Sequence, residues 1–493
     1  MNKRIANWAV VLGMCCAWCM KAGAQPTSMR INLQDAMEIA KRQSLESLAA
    51  HNTMRISYWQ YRNFKADLSP NMTLDGTLPS LNRSLTSYQK PDGSYEFLSS
   101  NYISENIGLT ISQSLPFSGG KVYVQSQLER LDQLDGTRKG SFLSVPATLT
   151  LSQPIFALNT MKWAKKIEPI RYEEAQKQYA VAMEEVNRTT IRYYFDLLLS
   201  MANQSIARQN YENAQKLCEI ARSKQQLGLI SDNDLKQLKL GELNAAASVI
   251  VADQDYTQKM HTLRNFLGYN DAIIIELNIP EECPSIAIDP DLIMKMATEN
   301  NPVFSGFKRR LLEAERNIAQ AKADRGFRMD VYASLGFTGS NVGLGPAYQN
   351  LKNRQIVEVG VSIPILDWGR GKGRVEMAKS QSKLVEGQIQ REQNDFEESI
   401  RALVQQLQDQ RSLVDIYRQA DSIANTRYQI ALETFSLGTI SILDINAAQN
   451  EKDTARRNYI NQLYYSWIYY YTLRYITLYD FQKQQNIQYD LEN

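Results

Sequence analysis

The chain has 493 residues with 55 basic and 53 acidic side chains, so its charge is nearly balanced and offers no basic footprint for nucleic acid. Only two histidines occur, His51 and His261, which leaves little material for histidine-based catalysis or metal ligation. Glycine and proline are too sparse for a fibrous or disordered chain, and the length suits roughly two to four ordinary domains.

The first 24 residues are predicted to be a cleaved signal peptide. Lys3 and Arg4 supply a positive start, Trp8 to Met20 a short apolar run, and Ala22-Gly23-Ala24 a small-residue cleavage site. Cys15, Cys16 and Cys19 fall inside this segment. A lipid anchor needs a small residue before the acylated Cys, but Met14, Cys15 and Trp18 stand there, so lipidation is the minor alternative. Cys218 and Cys283 remain, expected as unpaired thiols rather than a disulfide. No later run reaches the roughly eighteen apolar residues of a membrane helix. The exported chain is then either soluble or held in a membrane by strands.

From Leu33 to Leu68 the apolar spacing is helical, with Ala36, Ile39 and Ala40 on one face. Asp291 to Asp324 repeats it at an offset of 257: Met37-Glu-Ile-Ala40 matches Met294-Lys-Met-Ala297, and Lys65-Ala-Asp67 matches Lys322-Ala-Asp324. Further on, Leu151-Ser-Gln-Pro-Ile155 matches Val361-Ser-Ile-Pro-Ile365 at an offset of 210. Two constant offsets imply a duplicated unit, with 47 extra residues (the difference of the offsets) in the first copy. The expected organisation is a first repeat over 25–270, a proline-containing linker over 271–290 and a second repeat over 291–481. A polar tail over 482–493 is expected to be loosely ordered.

After each opening helix the period becomes two. Met329, Val331, Ala333, Leu335 and Phe337 alternate with polar or small residues, and so do Val357, Val359, Val361 and Ile363. The first copy shows the same at Ile107, Leu109 and Ile111, and at Val145, Ala147, Leu149 and Leu151. Strands of about ten residues with one apolar side fit a water-soluble sandwich or a transmembrane barrel.

Two helices of about seventy residues follow, over 159–226 and 369–437, each on the order of 100 Å long. Apolar positions step by three and four through Tyr172, Ala175, Tyr179, Ala182 and Val186, and through Phe396, Ile400, Leu403, Leu407 and Val414. That is a coiled-coil seam. Each helix ends in Leu-Gly-x-Ile-Ser: Leu227-Gly-Leu-Ile-Ser231 and Leu437-Gly-Thr-Ile-Ser441, again 210 apart. The glycine supplies a left-handed helix end and the serine an N-cap, so both are predicted to be tips of helical hairpins whose return arms are 232–267 and 442–479.

No nucleotide loop, metal cluster or nucleophile–base set stands out, and no cofactor is implied. Gly369-Arg-Gly-Lys-Gly-Arg374 lacks the spacing of a phosphate loop and fits a basic strand-to-helix turn, with Trp368 as an interfacial aromatic. The aromatic run Tyr464 to Tyr471 is expected to pack on the opening helices. Asp234 and Asp444 lie six residues after the tip glycines. Each suits a first-turn carboxylate near a helix dipole. If several copies form a ring, such residues instead build an acidic ring at a pore mouth. The first role is favoured for Asp234; both stand for Asp444.

This order of signal, helix, strands, long helix, glycine tip and return helix, stated twice, resembles the TolC-type outer-membrane efflux protein family over nearly the whole mature chain. The motifs that carry the resemblance are the two tips, Ser152-Gln-Pro-Ile-Phe156, Ile363-Pro-Ile-Leu-Asp-Trp-Gly-Arg370 and Ala297-Thr-Glu-Asn-Asn-Pro302. The resemblance implies an α+β membrane protein and a homotrimer in outer-membrane lipid. Its strands would share one β-barrel, and its helical hairpins would form a periplasmic α-barrel tunnel. It further implies docking of Gly228, Leu229, Gly438 and Thr439 onto a periplasmic adaptor of an inner-membrane transporter, of RND or ABC type. Asp444, Ile440 and Asp234 are the expected constriction residues. Two departures are visible: the family's latching Arg falls on Ile440, and its second constriction Asp on Ala447. The extra segment holds two further alternating stretches, 103–115 and 121–131. They give six membrane strands instead of the family's usual four, or a hairpin outside the membrane. A periplasmic coiled-coil adaptor, the rival reading, carries one hairpin flanked by small β-domains, which two tandem hairpins disfavour.

Overall fold

A computed structural model describes residues 27–135, 140–228, 230–270, 273–280, 283–284, 288–436 and 439–489; the expected signal peptide lies outside them. The chain forms two compact units. One gathers the described residues of Met1–Thr53, Lys177–Asn301 and Phe396–Asn493; the other comprises those of Met54–Gln176 and Pro302–Asp395.

Thr27–Ile31 (β1) leads into Leu33–Gln43 (α1) and Leu45–Asp67 (α2). Asn32 caps α1 by accepting the Asp35 N–H at 2.8 Å. The single opening helix expected from the sequence breaks at Ser44, which is buried and extended (φ −67°, ψ 148°). Its hydroxyl accepts the Ser47 N–H at 3.1 Å and restarts the helix. The chain continues through Asn71–Gln89 (β2), Tyr95–Ser114 (β3), Lys121–Gln133 (β4) and Gly140–Ile155 (β5) to Thr160–Gln226 (α3) and Asp232–Phe266 (α4).

Ile273–Leu277 (β6) then pairs in parallel with β1, Met29 opposite Ile275, so the expected linker contains a strand. Its β-branched residues suit the role, and Ile31 and Ile275 are both buried in the core of the first unit. Tyr194 fixes the pair from beneath, its hydroxyl donating to the Asn278 carbonyl at 2.7 Å.

The second copy opens with Pro290–Asn300 (α5) and Pro302–Arg325 (α6). Asn301, 257 residues after Ser44, is the break here, again buried and extended (φ −68°, ψ 133°). Pro302 excludes a helical conformation from the residue before it and suits a first helical position. The duplication therefore extends to the backbone break.

Next come Arg328–Asn341 (β7), Leu344–Ala347 (α7), Lys352–Ser362 (β8), Arg370–Ser436 (α8) and Ile442–Thr477 (α9). Both α3 and α8 have 67 residues, matching the expected lengths. Along the expected seam of α8, Ile400, Leu403, Leu407 and Val414 are buried and Phe396 is half-buried, with Gln410 also buried among them. Gln410 satisfies its amide by donating to the Gln462 carbonyl on α9 at 3.0 Å. The aromatic run packs in the core with α1: Tyr464, Trp467 and Tyr471 lie against the cluster holding Leu33, Ala36 and Ala40. Cys218 and Cys283 are free.

The described part of the tail, up to Tyr489, makes specific contacts. Tyr479–Asp480 (β9) and Gln485–Asn486 (β10) pair, and the Tyr489 hydroxyl donates to buried Glu184 at 2.8 Å.

In the second unit β2-β3-β4-β5-β7-β8 form one antiparallel sheet of six strands. The two repeat offsets align β2 with β7 and β5 with β8, so β3 and β4 are the inserted pair. They sit inside the ladder.

Candidate functional site

At the first tip Gly228 has φ 74° and its N–H reaches the Gln225 carbonyl at 2.9 Å, which closes α3. Ser231 then caps α4: its hydroxyl accepts the Asp234 N–H at 3.1 Å, while Asp234 Oδ2 accepts the Ser231 N–H at 3.1 Å. The second tip repeats this. The Asp444 N–H donates to the Ser441 hydroxyl at 3.3 Å, and the Ser441 N–H donates to Asp444 Oδ2 at 3.0 Å. Such reciprocal capping satisfies two backbone donors at a helix start. The first-turn role is thus formed at both aspartates.

Bonds from the Ser441 hydroxyl and N–H, with Arg427 nearby, hold the exposed Asp444 carboxyl below its ordinary range. Thr439 is exposed and returns both its N–H and hydroxyl to the Thr434 carbonyl. Ile440 is half-buried. Leu229 and Gly438, two of the expected docking residues, lie outside the described residues. Behind the second tip Tyr428, Ile445 and Ala448 form a small core, and Asn213 on α3 donates to the Tyr428 hydroxyl at 2.6 Å.

The sheet has two unlike faces. Pairing carries one row of polar or small residues across all six strands: Thr73, Thr110, Gln125, Thr148, Gly336 and Arg354. The adjacent row is apolar across five: Met72, Ile111, Val124, Leu149 and Leu335. In a water-soluble sandwich an apolar face packs against a second sheet. Here Met72 is 62%, Leu149 51% and Leu335 52% exposed, and Val357, Val359 and Val361 are exposed beside them. From Met329 to Phe337 the apolar face climbs roughly 20 Å at the tilt usual for barrel strands. Exposed Phe117, Phe156 and Trp368 lie past its lower end, where interfacial aromatics are expected. At the other end Glu105 pairs opposite Arg130. Among the described residues no helix is long and apolar enough to cross a membrane.

The inserted hairpin is fastened at its turn, residues 115–120. The Asn159 amide donates to the Pro116 carbonyl at 2.9 Å, and the Gln153 amide to the Ser118 carbonyl at 3.0 Å. A Cβ at Gly120 would stand 2.3 Å from Gln153 Oε1 and 3.0 Å from the Ser152 carbonyl oxygen, so a side chain there would displace Gln153 from the turn. At the basic turn Asp367 accepts the N–H groups of Gly369 and Gly371 at 2.9 and 2.8 Å, a cap for α8 rather than a phosphate site.

One charged cluster escaped the sequence reading. Arg474 donates to both oxygens of fully buried Glu184 and, at 2.6 Å, to Asp480. Burial would raise the Asp480 carboxyl, but Arg474 and the N–H groups of Lys483 and Gln482, with the Tyr470 hydroxyl, hold it below its ordinary range. Burial lifts the Tyr470 hydroxyl to about 12. The 210 offset, which pairs Arg474 with buried Arg264, was the available signal.

A two-faced antiparallel sheet with an open apolar side, in a chain that also holds two tandem helical hairpins, defines an outer-membrane channel. The outer membrane efflux protein family matches residues 120–269 and 293–471, and the chain belongs to that family. It is accordingly an outer-membrane efflux channel protein that extends into the periplasm. In fold it is similar to the CmeC outer membrane channel of Campylobacter jejuni, with 16% identity, 93% of this chain and 87% of that chain covered, and a TM-score of 0.64. It is likewise similar to the outer-membrane channel OprN (14%, 90% and 89%, 0.63) and to CusC (14%, 90% and 91%, 0.61). No curated protein matches the chain by sequence.

Proposed function

We propose that this chain is the passive outer-membrane duct of a tripartite export system. It works as a homotrimer whose hairpin tips dock onto a periplasmic adaptor coupled to an inner-membrane transporter of RND or ABC type. The duct has no energy source of its own: the transporter drives export, and the duct supplies a gated path. The observation that carries this reading is the pair of tips, identical in capping, with exposed Leu227 just before the first turn and exposed Leu443 just after the second. Two equivalent ends per chain present a repeating surface to an adaptor hairpin.

Gly228, Leu229, Gly438 and Thr439 make the adaptor contacts in this account. Asp444 lines the constriction with Ile440, and Asp234 stands at the equivalent place of the first hairpin. With Ile440 where the family has a latching Arg, apolar contacts hold the resting gate closed. The capping bonds fall on Asp444 Oδ2, and the residue carries a full charge at neutral pH for a ring of like residues to attract cations.

Docking is tested with purified trimer and its adaptor. Gly228→Asp together with Thr439→Asp is expected to abolish adaptor binding and export while trimer yield stays unchanged. Unimpaired binding by that variant would remove the tips from the interface.

A further inference from the structure

We infer that the inserted hairpin β3–β4 spans the outer membrane as part of the barrel wall, so that the assembled channel has eighteen strands. The inference rests on the trimeric duct proposed above: three copies of a six-stranded sheet. A hairpin outside the membrane would leave the ladder and let β2 pair directly with β5. Instead β3 pairs with β2 from Asn71↔Ser112 onward, and β4 pairs with β5 from Lys121↔Ser152 to Asp132↔Gly140. Two neighbouring rows carry the two-sided pattern across the insert, up to a register shift in the β4–β5 ladder between Gln125 and Gln127. Thr110 and Gln125 continue the polar row between Thr73 and Thr148, and Ile111 and Val124 continue the apolar row between Met72 and Leu149. A strand pair on one apolar face with lipid-exposed neighbours is itself at the lipid.

Six strands cannot close alone, since the smallest membrane barrels have about eight. The edge strands β2 and β8 run in opposite directions, because the sheet is antiparallel with an even strand count. A copy rotated about a common axis therefore sets its β8 antiparallel to the next copy's β2. The occupant of each free edge is a second copy of this chain. With strands about 4.8 Å apart and tilted about 40°, twelve strands give a backbone diameter of roughly 24 Å and eighteen roughly 36 Å. Allowing about 5 Å of side chain on each side, the wider wall admits hydrated solutes of roughly 25 Å, the size of a small folded domain or a branched glycan.

The test uses the full-length trimer in planar bilayers, with Cys218→Ser and Cys283→Ser as background. Thr110→Cys and Gln125→Cys are expected to react with a membrane-impermeant thiol reagent and lose conductance. Ile111→Cys and Val124→Cys should react at least about tenfold more slowly with that reagent, yet readily with a lipid-soluble maleimide. Neutral polymers about 20 Å across, added from the outer side, should enter and lower the conductance. Trimeric channels in which all four cysteines react alike with the impermeant reagent, or which exclude such polymers, overturn the eighteen-strand wall alone. Absence of trimers and of channels overturns the duct reading beneath it.

Discussion

Arg474 on α9 grips Glu184 on α3 through two N–H···O bonds, 3.2 Å from Nε and 3.0 Å from Nη2, with Glu184 wholly out of solvent. Removing one member of such a pair strands the other charge in the interior, at a cost of roughly 3–5 kcal/mol. Arg474→Met is expected to lose an amount in this range in denaturant unfolding. The triple variant Glu184→Met/Arg474→Met/Asp480→Asn, which leaves no charge of the cluster stranded, should lose clearly less. Equal losses would mean that packing, not stranded charge, sets the cost.

The same cluster sets an acid limit. The Asp480 carboxyl sits below its ordinary range, so the stability it contributes is complete above the unfolded carboxylate value of about 4. It is lost as pH falls through the lower folded value. Unfolding midpoints should be flat from about pH 7 to 5 and decline below about 4. Asp480→Asn should decline less over that acid window. An identical acid slope in wild type and variant would contradict this.

Gly268 closes α4 at φ 76°, and a Cβ there would meet the Gln43 carbonyl oxygen at 3.3 Å. Gly268→Ala should cost about 1–2 kcal/mol in thermal unfolding. Leu478, 210 residues on, holds the same left-handed position at φ 47°, with its side chain buried in compensation.

On the sheet, Leu335→Arg puts a cation on the lipid side, at about 2–4 kcal/mol near the bilayer centre. Gln125→Arg puts one on the polar row. Heat-resistant trimer on gels should be reduced by the first and preserved by the second. The reverse order would exchange the faces.

At the second tip Ser441→Ala removes the acceptor of the Asp444 N–H. First-turn amides of α9 should exchange several-fold faster. Asp444→Ala should in addition weaken block by divalent cations. Unchanged block would leave Asp444 as a cap alone.

The long helices and tips were legible because their signals are local: a left-handed glycine, a serine cap, an aspartate three residues on. The duplication was legible because both copies keep their spacing. β2 escaped because a register shift between Thr77 and Ser80 moves its apolar residues from even to odd positions, from Met72 and Leu74 to Leu81 and Leu85. β6 is five residues long and lay inside a segment marked by prolines. The place of the inserted hairpin was undecided because alternation within a strand does not name its neighbours. Glu184 and Arg474 went unread because charge on a helix ordinarily means a solvated face, and here tertiary packing decides otherwise.

The most direct test of the duct is reconstitution of the purified protein in planar bilayers, with cross-linking of the same sample. The account predicts cross-linked trimers and discrete conductance steps. A folded protein that gives neither trimers nor steps would contradict it.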